Sequence, residues 1–267
     1  MLKKVILGVV LASSMLLAKV NMEYSINAVG MSMDYKEYQN GNLLDSESSG
    51  YSDLTGAEFQ YNYIIKDAGK ADYNNIAFKV MVLRGNTKYI GSPLDSNLSY
   101  GSLTGTTSNQ IYDLDLDFAH TYQQTHNYKV IISLGLGYRF WRRELSAQQV
   151  EDYEWYSLRP SLAFSYTYRG LNISPRLEYQ YGIRPRMKST GISVNEDFKL
   201  GSANIIQVSI PLEYAMNQRF SLYGAYTYQY QKIKESNIVY DNSGTGYLEP
   251  DSKAYNKYIK FGIIFKY

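Results

Sequence analysis

Residues 128–140 read YKVIISLGLGYRF. Tyr128, Val130, Ile132, Leu134, Leu136, Tyr138 and Phe140 fall on one side of this stretch, with Lys129, Ser133, Gly135, Gly137 and Arg139 on the other. A period of two sustained over so many residues is the mark of a β-strand with one apolar and one polar face. Strands in globular sheets usually run five or six residues. Nine to eleven alternating residues is instead the length a tilted strand needs to cross a bilayer.

Working outward, the same pattern recurs along the chain. Upstream, Tyr112, Leu114, Leu116 and Phe118 alternate with Asp113, Asp115, Asp117 and Ala119; before them come Thr55 to Ile65 and Ile76 to Val82. Downstream, apolar faces run through Tyr156 to Tyr168, Leu171 to Ile183, Ile206 to Met216, Phe220 to Tyr230 and Ile259 to Tyr267. The first strand, about residues 20–38, changes phase near Ala28 and Val29, which predicts a bulge. Polar connections near 39–51, 85–108, 142–153, 185–202 and 233–253 alternate with tight turns centred near 70, 125, 169 and 218. At Arg169-Gly170 a two-residue hairpin pairing Tyr168 with Leu171 makes the two apolar faces coincide. The expected fold is all-β, a single antiparallel up-and-down transmembrane β-barrel of about ten strands, with eight or twelve as alternatives. Pro160, Pro175 and Pro211 fall inside these strands, where each removes a ladder donor, and so predict bulges or strand ends.

Composition agrees. Among 267 residues there is no cysteine, which excludes disulfides, thiolate metal sites and a cysteine nucleophile. With 27 basic and 25 acidic side chains the chain lacks the basic footprint of nucleic-acid binding. The mean hydropathy of −0.36 excludes a polytopic helical membrane protein. Yet there are 29 tyrosines, against nine phenylalanines and two tryptophans. Many sit towards the ends of the apolar faces, as Tyr128 and Tyr138 or Tyr156 and Tyr168 do. That is the place of the aromatic girdles that flank a lipid-facing band.

Residues 1–18 have the layout of a secretory signal: Lys3 and Lys4, the apolar run Val5 to Leu11, and Ala18 as a small residue for cleavage. The expected division is therefore a signal peptide over 1–18 and a barrel domain over 19–267. At the other end, Lys260, Gly262, Phe265 and the terminal aromatic Tyr267 resemble the C-terminal assembly signal of bacterial outer-membrane barrels. The resemblance implies an outer-membrane protein with lipid and the barrel-assembly machinery as partners. It also implies extracellular long loops and periplasmic mature termini.

In such a barrel the polar faces point into the lumen. There Lys79, Asp113, Asp115, Asp117, Arg139, Arg159, Arg176, Glu178, Glu213 and Lys260 are expected to pair in a charged network, since interior charges persist only when paired or wet. Ten strands leave little more than side-chain room. The small residues Gly135, Gly137, Ser161, Ala163, Ser165 and Ala225 are candidates for a gap beside that network. The run Asp113-Leu114-Asp115-Leu116-Asp117 lacks the glycine-driven turn of a calcium loop, and successive carboxylates on one strand face are about 6 to 7 Å apart. No cofactor or metal is expected from it.

A ten-stranded barrel also resembles the outer-membrane proteases of the omptin family, which need an acidic pair and a histidine-aspartate dyad near the extracellular rim. The two histidines here, His120 and His126, fall at the turn side, so a non-enzymatic barrel is expected. The expected function is that of a small porin-like or structural barrel with a narrow charged lumen, taking small solutes; the alternative is a surface barrel that binds extracellular ligands through its loops.

Overall fold

The computed structural model describes residues 18–67, 69–92, 99–191, 197–241 and 243–267. The export signal expected over 1–18 therefore lies, but for Ala18, outside the described residues. Ten antiparallel strands form the wall. They are β1 Ala18–Gln39, β2 Leu54–Asp67, β3 Tyr73–Gly91, β4 Leu103–Gln123 and β5 Tyr128–Glu144. There follow β6 Val150–Tyr168, β7 Arg176–Thr190 with a short lead-in Leu171–Ile173, β8 Ala203–Ala215, β9 Phe220–Ile233 and β10 Asp251–Lys266. Each strand pairs with its sequence neighbours, and β10 returns to β1 from Glu23↔Lys266 to Tyr38↔Asp251. Met22 and Tyr267 exchange both backbone hydrogen bonds. Among the described residues the wall thus closes on itself, which is what a sheet facing hydrocarbon requires.

The ends differ as the spacing predicts. One end, here the turn end, carries the tight connections and the chain's last residue; the other, the loop end, carries the longer ones. At the turn end Arg169 and Gly170 adopt positive φ of 46° and 82° and Tyr168 pairs with Leu171, the register expected from the two apolar faces.

The strands exceed the nine to eleven residues expected. β1 has 22, β4 has 21 and β3 and β6 have 19 each. Nineteen residues extend about 60 Å, more than a tilted crossing of a hydrocarbon layer about 30 Å thick uses. The surplus lies at the loop end, where the polarity of the wall is inverted. Along β5 the outward side runs from Tyr128 to Phe140 and then turns to Arg142 and Glu144, while the inward side turns from Ser133, Gly135 and Gly137 to Trp141. On β3 the outward Ile76, Phe78, Val80 and Val82 give way to Arg84, Asn86 and Lys88, as the inward Asn75, Ala77 and Lys79 give way to Met81 and Leu83. Outward Ile132, Leu134 and Leu136 are 51%, 51% and 53% exposed, so none of the described residues covers them, as expected of a lipid-facing band. Above the switch the outside is charged and the inside is a hydrophobic core.

This inversion corrects two expectations. There is no bulge at Ala28 and Val29, where β1 keeps unbroken register with both neighbours. The phase of apolar residues changes because Ile26 faces lipid whereas Val29, Met31, Met33 and Tyr35 face the core. Much of the sequence expected as long loops is wall. In 39–51, Asn40 and Gly41 make a tight turn with φ of 52° and 84°, and Asn42–Ser48 runs back along β1. Only Leu145 to Gln149 separate β5 from β6.

A bulge does occur on β7, where Arg184 has φ of 51° and the register against β6 shifts between Glu154 and Tyr156. The extra residue turns Ile183 and Arg184 both outward and sends Met187 inward. The prolines interrupt the wall locally. Pro175 occupies the break between the lead-in and β7, Pro160 faces a gap in the β6–β7 ladder, and Pro211 stays within β8 opposite Ala225.

With no native cysteine, single cysteines report on the switch directly. In liposome-reconstituted protein, Leu136→Cys and Leu114→Cys are expected to resist a water-soluble maleimide, whereas Arg142→Cys and Lys88→Cys label fully. Equal labelling at all four sites would contradict the assigned lipid band.

Candidate functional site

The interior is stacked in three tiers. The middle tier gathers most of the expected lumen residues. Cross-strand register sets Asp113 opposite Arg139 and Asp115 opposite Lys79. Arg139 donates Nε and Nη2 to the two Asp113 oxygens at 2.6 and 2.7 Å, and Lys79 Nζ lies 2.7 Å from Asp115. Arg159 reaches Asp115 and also Glu178, the latter at 2.8 Å; Arg176 lies 3.0 Å from Glu178 and 3.7 Å from Asp117. Lys260 donates to Glu58 at 2.6 Å. Glu213 stands apart nearer the turn end, accepting from Lys266.

The triple Asp-Leu-Asp-Leu-Asp thus supplies three carboxylates, each beside a separate cation. Two glycines make the crossing possible. A Cβ on Gly135 would lie 1.9 Å from Asp117 Oδ1, and one on Gly137 would lie 2.9 Å from Arg159 Cδ and 3.0 Å from Asp115 Oδ1. Beside Gly135 and Gly137 the expected gap is filled by the network's own side chains, and about 30 Å³ remains among Lys79, Asp113, Arg139, Arg159 and Lys260. Ser161, Ala163 and Ser165 do line open space, in the cavity below. Removing Arg159 would leave Asp115 to Lys79 and Glu178 to Arg176, so the expected loss stays below about 3–5 kcal/mol, that of a buried charge left wholly unpaired.

Below, at the turn end, lies a cavity of about 450 Å³ lined by polar and small side chains, among them Asn62, Asp117, Ser133, Ser161, Arg176 and Glu213. Above the network sits the apolar tier: Val29, Met31, Met33, Leu54, Met81, Leu83, Ile111, Trp141, Trp155, Met187, Ile205 and Ile233, all buried. The last long connection closes over it, with Val239 and Tyr247 packed on this core.

Inside that upper tier is a cluster the residue pattern alone does not reveal. Arg143, wholly buried, donates to Glu47 at 2.7 Å, Glu37 at 2.6 Å, Glu151 at 2.8 Å and the Tyr153 hydroxyl at 3.0 Å. Its guanidinium lies over the Tyr35 ring, 4.5 Å from the centroid. Glu249, from the closing connection, accepts from Tyr153. Burial, together with Glu37 close by, pushes Asp45 up to about 9. Burial pushes Glu151 up to about 7, and Glu249 well above the usual carboxylate range. The expected connection 142–153 hides this arginine because its outward neighbours are polar. The one available signal was Asn40-Gly41, a hairpin turn that folds Asp45 and Glu47 back beside Glu37.

The histidines are far from these acids. His120 faces outward near the turn end, with Nδ1 2.8 Å from Asn74 Oδ1 and its ring against Tyr122. His126 lies in the following turn.

This closed ten-strand wall can be set against known structures. The protease OmpT from Escherichia coli superposes with a TM-score of 0.58 over 93% of this chain and 96% of that one, at 12% identity. The fold is that of a bacterial outer-membrane barrel. Weaker superpositions reach OprG from Pseudomonas aeruginosa, with a TM-score of 0.39, 11% identity and 93% and 95% of the two chains. Another is the translocator domain of NalP from Neisseria meningitidis, at 0.42 and 10%, covering 99% and 94%. No protein-family model matches the chain. No curated protein matches it either.

The raised carboxyl groups set a pH dependence. Their folded values lie above their unfolded ones, so the folded barrel holds more protons, and stability falls as pH rises. With divalent cations chelated, the urea midpoint of the detergent-folded protein is expected to be highest at acid pH near the ordinary carboxylate range. It should decline from there as pH rises, less steeply above about 7, where Glu151 has lost its proton, and with no further loss from Asp45 above about 9. A midpoint that climbs across this range would contradict the assigned cluster.

Proposed function

We propose that this chain is a non-catalytic barrel of the bacterial outer membrane. Its lumen is closed to solutes, and its rim, raised above the bilayer, binds partners outside the cell. In this reading the loop end is extracellular, both mature termini are periplasmic, and the strand ending at Tyr267 is what the assembly machinery recognises. The observation that carries it is the apolar tier. A pore needs a continuous polar path, and here Met31, Met33, Leu83, Ile111, Trp141 and Trp155 fill the lumen above a network that is itself nearly void-free. The porin-like alternative has only the turn-end cavity in its favour, and that cavity ends beneath the network.

The rim suits binding. Tyr100, Ile238 and Tyr240 are exposed there, on connections otherwise rich in Ser, Gly, Asn and Asp, as is Leu103 at the start of β4. Amphipathic rings among small polar residues give contact area at low entropic cost. The wall beneath holds them on a rigid base. Against catalysis stands the separation of both histidines from the acidic cluster.

Purified protein in planar bilayers is expected to give no discrete openings under applied voltage. Single-channel steps reproducible across preparations would restore the porin-like reading and end this one.

A further inference from the structure

The cluster around Arg143 holds more carboxyl groups than its arginine pairs. Glu37, Asp45, Glu47, Glu151 and Glu249 are all buried, and among the described residues the one buried cation beside them is Arg143, which binds Glu37, Glu47 and Glu151 but neither Asp45 nor Glu249. The facing phenols, Tyr35, Tyr89 and Tyr153, are donors without charge. Carboxylate oxygens of Glu37, Glu151 and Glu249 lie within 4.8 Å of one another. A hard cation with oxygen ligands at about 2.3–2.6 Å holds opposite ligands about 5 Å apart, so this spacing fits around one ion.

A second observation points to the same place. Asp45 stands directly opposite Glu37 across the β1 hairpin, and both face inward. Like charges paired in this way repel. Asp45 is 9% exposed, and its Oδ1 is buried without any hydrogen-bond partner. A buried carboxylate oxygen with no donor, aimed beside another carboxylate, lacks a positive partner of small size. The burial of every member leaves no room for the side chain of another protein.

We propose that the loop end of the barrel binds one divalent cation of the calcium type, held by Glu37, Glu151 and Glu249, with Asp45, outside that group but opposite Glu37, as a flanking carboxylate. Glu37 and Asp45 come from the first hairpin, Glu151 from the start of β6 and Glu249 from the connection that closes the mouth. The ion therefore ties that connection to the wall. Its occupancy sets how firmly the rim over the apolar tier is held.

The test uses the full folded barrel in detergent without lipopolysaccharide, stripped with a chelator and kept at neutral pH. Terbium is titrated first, as a calcium stand-in sensitised by the neighbouring Tyr35, Tyr153 and Trp141, and calcium is then used to displace it. One saturable site is expected, with calcium also raising the melting temperature and slowing tryptic cleavage after Lys234. Glu249→Gln, which changes a connection rather than the wall, should weaken binding at least tenfold, and Asp45→Asn should do the same. Variants must keep the heat-modifiable migration of the folded barrel; if neither does, the wild-type melting shift at fixed pH decides alone. No saturable terbium signal, or unchanged affinity in folded Glu249→Gln, would overturn the proposal. So would a melting temperature that follows pH but not calcium, which would assign the cluster to protons.

Discussion

Each strand of this barrel must exchange its apolar face for its polar one at the height where it leaves the bilayer. Below that height, hydrocarbon lies outside, and the inside is free to be polar. Above it, water lies outside, and the closed wall can gain by burying apolar side chains only inward. The side-chain period of two leaves no other solution short of breaking the ladder. Most of the structure follows: the charged network sits at bilayer height, and the core of Met, Leu, Ile and Trp sits above it.

The inversion also explains where each kind of chemistry is found. In the membrane-level lumen, ions are tolerable because they are paired at close range, with Gly135 leaving room for Asp117 and Gly137 for Arg159. In the upper tier, Arg143 is held on every side by carboxylates and rings. One arginine there gathers residues from β1, its hairpin, β5 and β6, much as a ligand would. The side chains from the first hairpin and the closing connection meet at this point, so the rim depends on it.

Much of the fold was legible in residue order. The alternation from Tyr128 to Phe140 and its repeats identified the wall, the strand number and the Tyr168–Leu171 register, because lipid-facing residues are large, apolar and consecutive on one side. Legibility failed where the same period continued with its faces exchanged. Val29 to Tyr35 imitated a bulge, and 39–51 and 142–153 imitated loops, since outward Ser, Asp, Lys and Arg look like solvent-exposed connection. The real bulge at Arg184 rests on a single left-handed residue that no composition betrays. The pairs Asp113–Arg139 and Asp115–Lys79 were foreshadowed by inward charges of both signs, but the Arg143 cluster needed the inversion to be known first.

The central claim, a water-free apolar tier inside the wall and above the bilayer, is tested most directly by the chain's two tryptophans, Trp141 and Trp155, both buried in that tier. In proteoliposomes, their fluorescence should resist quenching by both aqueous iodide and bromine-labelled lipid tails. Quenching by iodide would mean that water fills the upper lumen, quenching by the lipid would mean that the tryptophans face the bilayer, and either result would contradict the account.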